Sequence, residues 1–477
     1  MKKVSLLTVL LLVILLSSVR AIEPERVSIA ALAFVQQSFA ESRLQTCQTL
    51  VDGNDDTVGY LYRFIPYGFL IASAADAISP VYAYSASGNF NLPRDAMNPI
   101  IKLIVDDLSL RIRSSAHYPE KLKAKIAKDW FRFLKGSMRD SIFEQWPPEG
   151  STPTEGWLET KWTQNPPYNA MVPMDLVAGL RSYAGCPAIA MAQILNYHGE
   201  INETRFDTND DYYHNFGAGY NFWIDDDHIA WDFPSYDTLN LWLDTLESTF
   251  IAGGELSNSL KAALCFACGV AAKQMYSSIV SGTYGMEQAI MAYQRFDFSE
   301  ARLVYPDDTT LNSLIAENVK GALPVHLGLL SSTGSGGHNV VVDGYNTDQF
   351  YHFNFGWGGP ANGWYTLPPT GIPYGLTIIE SAVLDIKSSQ YTSSPANGKP
   401  SLNVFLYPNP AKNILVVDGL SGTATLSIFN LLGKPVFKSV LTTPKTTIHT
   451  GNMPSGCFIY SITDCNGNTS TGKLLKE

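Results

Sequence analysis

Tyr183-Ala-Gly-Cys-Pro-Ala-Ile-Ala-Met-Ala-Gln-Ile-Leu-Asn-Tyr-His198 reads as one apolar helix opened by Gly185 and Pro187. Proline suits a first helical turn, where its missing N–H removes no hydrogen bond. Cys186 therefore stands at a helix N-terminus, where the partial positive charge of aligned peptide dipoles favours the thiolate, the reactive form of the side chain. Cys186 also keeps a backbone N–H, which can point at a developing oxyanion. A cysteine taken alone is more often a small buried hydrophobe, so this reading needs a base and a second oxyanion donor elsewhere.

Eight histidines compete for the role of base. His198 sits 12 residues along the same helix, about 18 Å away at 1.5 Å per residue. His228 follows Asp225-Asp-Asp in an acidic loop, and His117, His214 and His449 lie in polar or peripheral stretches. His338 differs: it follows Ser335-Gly-Gly and opens the strand Val340-Val-Val-Asp-Gly-Tyr, with glycines that let a substrate backbone approach closely. A turn at Asn346-Thr-Asp leads into the return strand Phe350-Tyr-His-Phe-Asn354. A hairpin centred near Asn346 brings His338 and Asn354 together across the ladder, where an amide would orient the imidazole. His352 shares a strand face with Asn354 and is the one serious rival, though its strand-interior setting suits a structural histidine. His326, in Leu323-Pro-Val-His-Leu-Gly, reads as a core strand residue. Trp357, among the glycines of Phe355-Gly-Trp-Gly-Gly, suits either shielding of the His338 pair from water or plain packing. Upstream, Gln164 in Lys161-Trp-Thr-Gln-Asn-Pro-Pro-Tyr-Asn169 sits in a Pro-flanked loop and offers a side-chain N–H for the oxyanion.

The 477 residues exceed one hydrophobic core and suggest about three units. Residues 1–21 have the order of a secretory signal: Lys2 and Lys3, an apolar run from Leu6 to Leu16, then Val19-Arg20-Ala21. A membrane anchor is the competing reading, but the run is too short to span a bilayer comfortably. Removing Lys2, Lys3 and Arg20 would deepen a formal charge of −11 by three, which argues against nucleic acid or anionic membrane as partner. Six cysteines are too few for a disulfide-built scaffold. Cys265 and Cys268 form C-x-x-C inside an apolar helical stretch and read as buried hydrophobes, not a zinc or redox pair. Cys457 and Cys465 are close enough in sequence to bridge within a hairpin. Asp207-Thr-Asn-Asp-Asp invites a calcium reading but lacks the glycine and distal glutamate of a loop site, so a solvated acidic loop is expected. No metal or organic cofactor is expected.

The expected architecture is α+β throughout the first two units, a small one at 22–145 and a larger one at 146–387. The stretch Pro147-Pro-Glu-Gly-Ser-Thr-Pro-Thr-Glu-Gly between them reads as an exposed, protease-accessible connection. A linker at 388–400, nearly without apolar residues, precedes short strands at 401–477 that predict a small all-β sandwich.

Three stretches, Gln-Asn-Pro-Pro-Tyr-Asn from Gln164, the Cys186 helix, and Gly-Gly-His-Asn through Asn-Phe-Gly-Trp-Gly-Gly around His338, together resemble the streptopain family of papain-like cysteine peptidases. The upstream Gly68-Phe-Leu-Ile-Ala-Ser through Asn89-Phe resembles that family's inhibitory prosegment. The resemblance implies Cys186 as nucleophile, His338 as base, Gln164 as oxyanion donor, and Asn354 or a neighbouring ring as orienter. It further implies that Gly337, Ser281 and Gly282 line the cleft for protein or peptide substrates, with the prosegment as intramolecular inhibitor of a monomer. Pro187 and Phe355 depart from the usual family residues, and Phe355 throws the orienting role onto Asn354. The tail, through Phe405-Leu-Tyr-Pro-Asn-Pro-Ala-Lys-Asn and Gly472-Lys-Leu-Leu-Lys, resembles the sorting domain of type IX export to the cell surface or exterior. A carbohydrate-binding sandwich is the alternative there. For the whole chain, acyl transfer on the same scaffold and a non-catalytic surface or inhibitor protein are the rival readings.

Overall fold

The computed structural model describes residues 22, 24–38, 42–91, 99–135, 143–216, 219–331, 336–370, 377–387 and 402–476, apart from 403, 421, 431–433, 443 and 466–468. The expected signal (1–21) and the linker (388–400) lie outside them. The helices are α1 (Pro24–Ser38), α2 (Pro99–Ser114), α3 (Glu120–Leu134), α4 (Cys186–His198), α5 (Tyr236–Ile251), α6 (Asn258–Ala271), α7 (Met286–Arg295) and α8 (Leu311–Lys320). The sequence reading missed α3, although Ile126, Trp130 and Phe133 recur at helical spacing and form its buried face.

An eleven-stranded sheet carries the first two units. In spatial order it runs Arg43–Val51, Thr57–Ile65, Phe69–Ser73, Val81–Ser85, Gly363–Thr366, Phe350–Asn354, Gly337–Asn346, Val325–Leu330, Ile379–Leu384 and Arg302–Val304, with Gln145–Trp146 paired beside Gly337–Asn346. The first four strands come from the expected prosegment. They join the rest through two antiparallel pairs, Trp364 with Tyr84 and Tyr365 with Ala83. Residues 43–85 are therefore not a separate lobe; they continue the sheet of the second unit.

Helix α4 is apolar nearly all round, the pattern of a helix enclosed by its own domain. Residues Pro187 to Leu195 are buried, and it packs between α6 and the strand Gly337–Asn346. Gly185 makes its entry possible. Its φ is +86°, and a Cβ there would lie 2.4 Å from the Gln274 amide, which donates to Ala184 O at 2.8 Å. Cys265 and Cys268 are fully buried on α6 with free thiols.

One expectation needs correction and two are refined. The 147–156 connection is exposed only in part: Thr154 and Gly156 are buried, and Leu158 N–H donates to Asp343 Oδ2 at 2.9 Å. Cys457 and Cys465 are free; they stand at opposite ends of the strand Gly456–Asp464, about 25 Å apart at strand rise, and cannot bridge. The acidic turn at Asp207, exposed over Asp207–Asn209, is also tied down, since Arg295 Nε donates to Asp210 Oδ1 at 2.8 Å.

The tail is a sandwich of a three-stranded and a four-stranded sheet, closed over Leu415, Leu426, Ile428, Ile462 and Leu474. Tyr407, the tyrosine of Tyr-Pro-Asn-Pro, is buried against the catalytic unit instead. Its hydroxyl accepts from Trp146 Nε1 at 3.1 Å and donates to Asp418 Oδ2 at 2.7 Å. Among the described residues no helix is long and apolar enough to cross a membrane.

Candidate active site

Cys186, at the first turn of α4, and His338, at the start of the strand Gly337–Asn346, line one cavity of ≈ 510 Å³. Gln164, Ser281, Gly282, Gly337 and Trp357 line the same cavity. Six residues singled out in the sequence thus line one cavity with Cys186. An antiparallel bridge between Thr163 and Trp357 holds the Gln164 loop beside the tryptophan, and Ala184 N–H donates to Gln164 O at 3.0 Å. Gln164 is buried.

Asn354 is elsewhere. The hairpin turns at residues 347–349, later than the sequence suggests, so Val341 faces Asn354 and Tyr345 faces Tyr351. That register carries His338 three positions past Asn354, level with Trp357. The Asn354 amide donates instead to Thr160 O (2.8 Å) and Gln193 Oε1 (3.2 Å) and accepts from Gly356 N–H (3.1 Å). Its work is to brace the Gln164 loop and α4. The group that orients His338 is the main-chain carbonyl of Phe355, which accepts from His338 Nε2 at 2.7 Å. A carbonyl only accepts, so the proton sits on Nε2 and Nδ1 keeps the lone pair that a base requires. The rings of Phe355 and Trp357 stack on the imidazole, with centroids 6.1 Å away in each case. No residue-type signal marks a backbone carbonyl, so sequence reasoning had no route to it.

His352 is structural. Its Nδ1 is 2.7 Å from Asp343 Oδ1, both side chains fully enclosed, and the other Asp343 oxygen holds the 157–158 chain.

The electrostatics are those of a resting site. Burial pushes the Cys186 thiol up to about 11, against hydrogen bonds from Asn339 that lower it, with Glu380 adding to the rise. Burial takes His338 down to about 4, against the Phe355 hydrogen bond. At neutral pH the pair is therefore thiol and neutral imidazole. Part of the enclosure comes from α2, whose Lys102 and Leu103 stand in the cavity wall.

Residues 162–365 match the Peptidase C10 family. The matched stretch contains Gln164, Cys186, His338 and Asn354, and it agrees with the resemblance to the streptopain family. Residues 405–477 match the secretion system C-terminal sorting domain. The chain is 26% identical over 313 residues to the thiol protease/hemagglutinin PrtT of Porphyromonas gingivalis, a match covering 62% of this chain but only 32% of that protein. It is 23% identical over 362 residues to streptopain of Streptococcus pyogenes, covering 69% and 80% respectively. A solved structure of prointerpain A from Prevotella intermedia aligns with 73% of the chain and 99% of its own, at 20% identity and a TM-score of 0.48.

Within the C10 segment, Gln164→Ala should lower kcat for peptide hydrolysis about 100-fold with KM changed little. An oxyanion donor acts mainly in the transition state. Equal losses in kcat/KM arising from KM alone would show that Gln164 binds substrate instead.

Proposed function

We propose that the chain is an exported cysteine endopeptidase made as a self-restrained precursor. The observation that carries this is the single cavity that Cys186, His338 and Gln164 line together, with Lys102 and Leu103 of α2 in its wall. In the reaction the Cys186 sulfur attacks a peptide carbonyl, and the resulting oxyanion is held by the Cys186 N–H and the Gln164 side chain. His338 passes the thiol proton to the leaving amine, and water, activated by the same imidazole, then hydrolyses the thioester. Substrate backbone lies along Gly337 and beside Ser281-Gly282. None of these steps calls on a metal or organic cofactor.

Restraint follows from the same geometry. With α2 in place both catalytic groups are driven neutral by burial; withdrawal of α2 lets water back and relieves that desolvation, so that the helix N-terminus and the mutual attraction of thiolate and imidazolium can favour the charged pair. Export fits the signal-like residues 1–21, and the sorting tail supports a type IX route to the cell surface or exterior.

The test is incubation of purified full-length chain with casein under reducing conditions, beside Cys186→Ala. The wild type should shorten to a mature form and degrade casein, and the variant should do neither. Casein left intact by the wild type, or cleaved equally by both, would sink the reading.

A further inference from the structure

The Cys186 sulfur has a second set of polar neighbours besides His338 and Gln164. Asn339 Nδ2 lies 3.9 Å from Cys186 Sγ, and Asn339 Oδ1 lies 2.7 Å from His326 Nε2. His326 Nδ1 is in turn 3.2 Å from the Tyr293 hydroxyl. His326 pairs with Val341 across the two strands, which makes Asn339 its diagonal neighbour on the same face. Tyr293 and His326 are fully buried.

The direction of these bonds is determined. An amide oxygen only accepts, so His326 carries its proton on Nε2 and donates to Asn339 Oδ1. That leaves His326 Nδ1 bare, and it takes the Tyr293 O–H. With its oxygen engaged, Asn339 presents N–H to the sulfur. Every link donates toward Cys186. Burial also takes His326 down to about 4, so this tautomer persists at neutral pH and no cation competes for Asn339.

We infer that Asn339 is a thiolate-stabilising residue of the site and that His326 and Tyr293 are positioning residues that hold its amide with N–H facing sulfur. A donor hydrogen bond to sulfur favours the charged form over the thiol. It also keeps the sulfur aimed when His338 swings toward the leaving group. The opposite amide orientation would set oxygen against sulfur and favour the thiol, so the two arrangements predict opposite signs.

The inference rests on Cys186 being the nucleophile, but its test does not need turnover. Full-length chain is alkylated with iodoacetamide across pH 5 to 11, and the rate is followed at the Cys186 peptide by mass spectrometry, which separates it from the other cysteines. The other charged or titratable groups in the cavity wall, His338 on the same strand, Glu380 on Ile379–Leu384, Lys102 on α2, Tyr183 and Tyr284, are the same in every variant. Asn339→Ala should raise the inflection by about one pH unit and slow alkylation at pH 7 about tenfold. His326→Phe should move it the same way by less, and His326→Gln, which keeps a donor near the Nε2 position, should restore it. Thermal melts check that each variant folds. Asn339→Asp carries the test if Asn339→Ala does not fold, and its added negative charge should raise the inflection further. An unchanged or lowered inflection in a folded Asn339 variant would overturn the inference. Casein cleavage is measured alongside: its failure in the wild type would remove the peptidase reading and leave the thiol inflection readable.

Discussion

His338→Ala should lower the kcat of the matured chain on casein by about 10³- to 10⁴-fold, because the variant has neither a base to form the thiolate nor an acid for the leaving amine. Asn354→Ala should behave differently. It removes bonds to Thr160, Gln193 and Gly356 and leaves buried partners unsatisfied, so about 1–3 kcal/mol of stability should go, with kcat retained within about fivefold below the melting point. Steady-state kinetics beside thermal melts of the two variants separate these effects. If Asn354→Ala lost activity as completely as His338→Ala while folded, the carbonyl of Phe355 would not be the group that orients the imidazole.

The second large effect is expected at Arg111. This α2 side chain is almost fully buried and donates to Thr366 Oγ1 (2.8 Å) and Thr366 O (2.7 Å) on the catalytic sheet. It also donates to Asp107 Oδ2 from Nε (3.0 Å) and Nη2 (2.6 Å), an oxygen that accepts from the Tyr82 hydroxyl as well. Arg111→Ala would strip these partners and leave Asp107 buried without its cation, a change that costs about 3–5 kcal/mol in comparable buried pairs. The loss falls on the attachment of α2, so the Arg111→Ala precursor should mature at least about tenfold faster. Its Cys186 should also be alkylated faster before any cleavage. A time course of shortening, with Cys186→Ala in the same background as the uncleaved control, measures the first, and iodoacetamide labelling of Cys186 in the still intact precursor measures the second. Maturation no faster than wild type would show that α2 is not what holds the precursor back.

That Cys186 and His338 belong to one cavity was legible in the sequence because its signals are local. A glycine and a proline bracket Cys186, and two glycines precede His338; each is a statement about backbone that does not depend on distant contacts. The tail's sandwich was legible for the same reason, from turns at short intervals. What could not be read was register. Placing Asn354 opposite His338 required the exact centre of a hairpin, and the turn at 347–349 with an irregularity between Val342 and Gly344 displaced the partner by three residues. The Asn339 amide escaped notice because adjacency to His338 on a strand gives no hint of which neighbour reaches sulfur. His326 was correctly placed in a core strand, but its hydrogen-bonding to Asn339 depends on pairing between strands. The continuous sheet was also missed, since alternating strands at 59–73 look alike whether they close on themselves or extend a neighbour.

That continuity bears on how the precursor is dismantled. Tyr84 and Ala83 meet Trp364 and Tyr365 at a seam of two ladder pairs, whereas Thr57–Ile65 and Phe69–Ser73 share five. Cutting the chain near residue 146 would therefore release nothing by itself. The severed piece would stay zipped to the enzyme until the seam parts at its shortest run, and the freed protein would then carry a bare four-residue border at Gly363–Thr366, too brief to recruit stray strands readily.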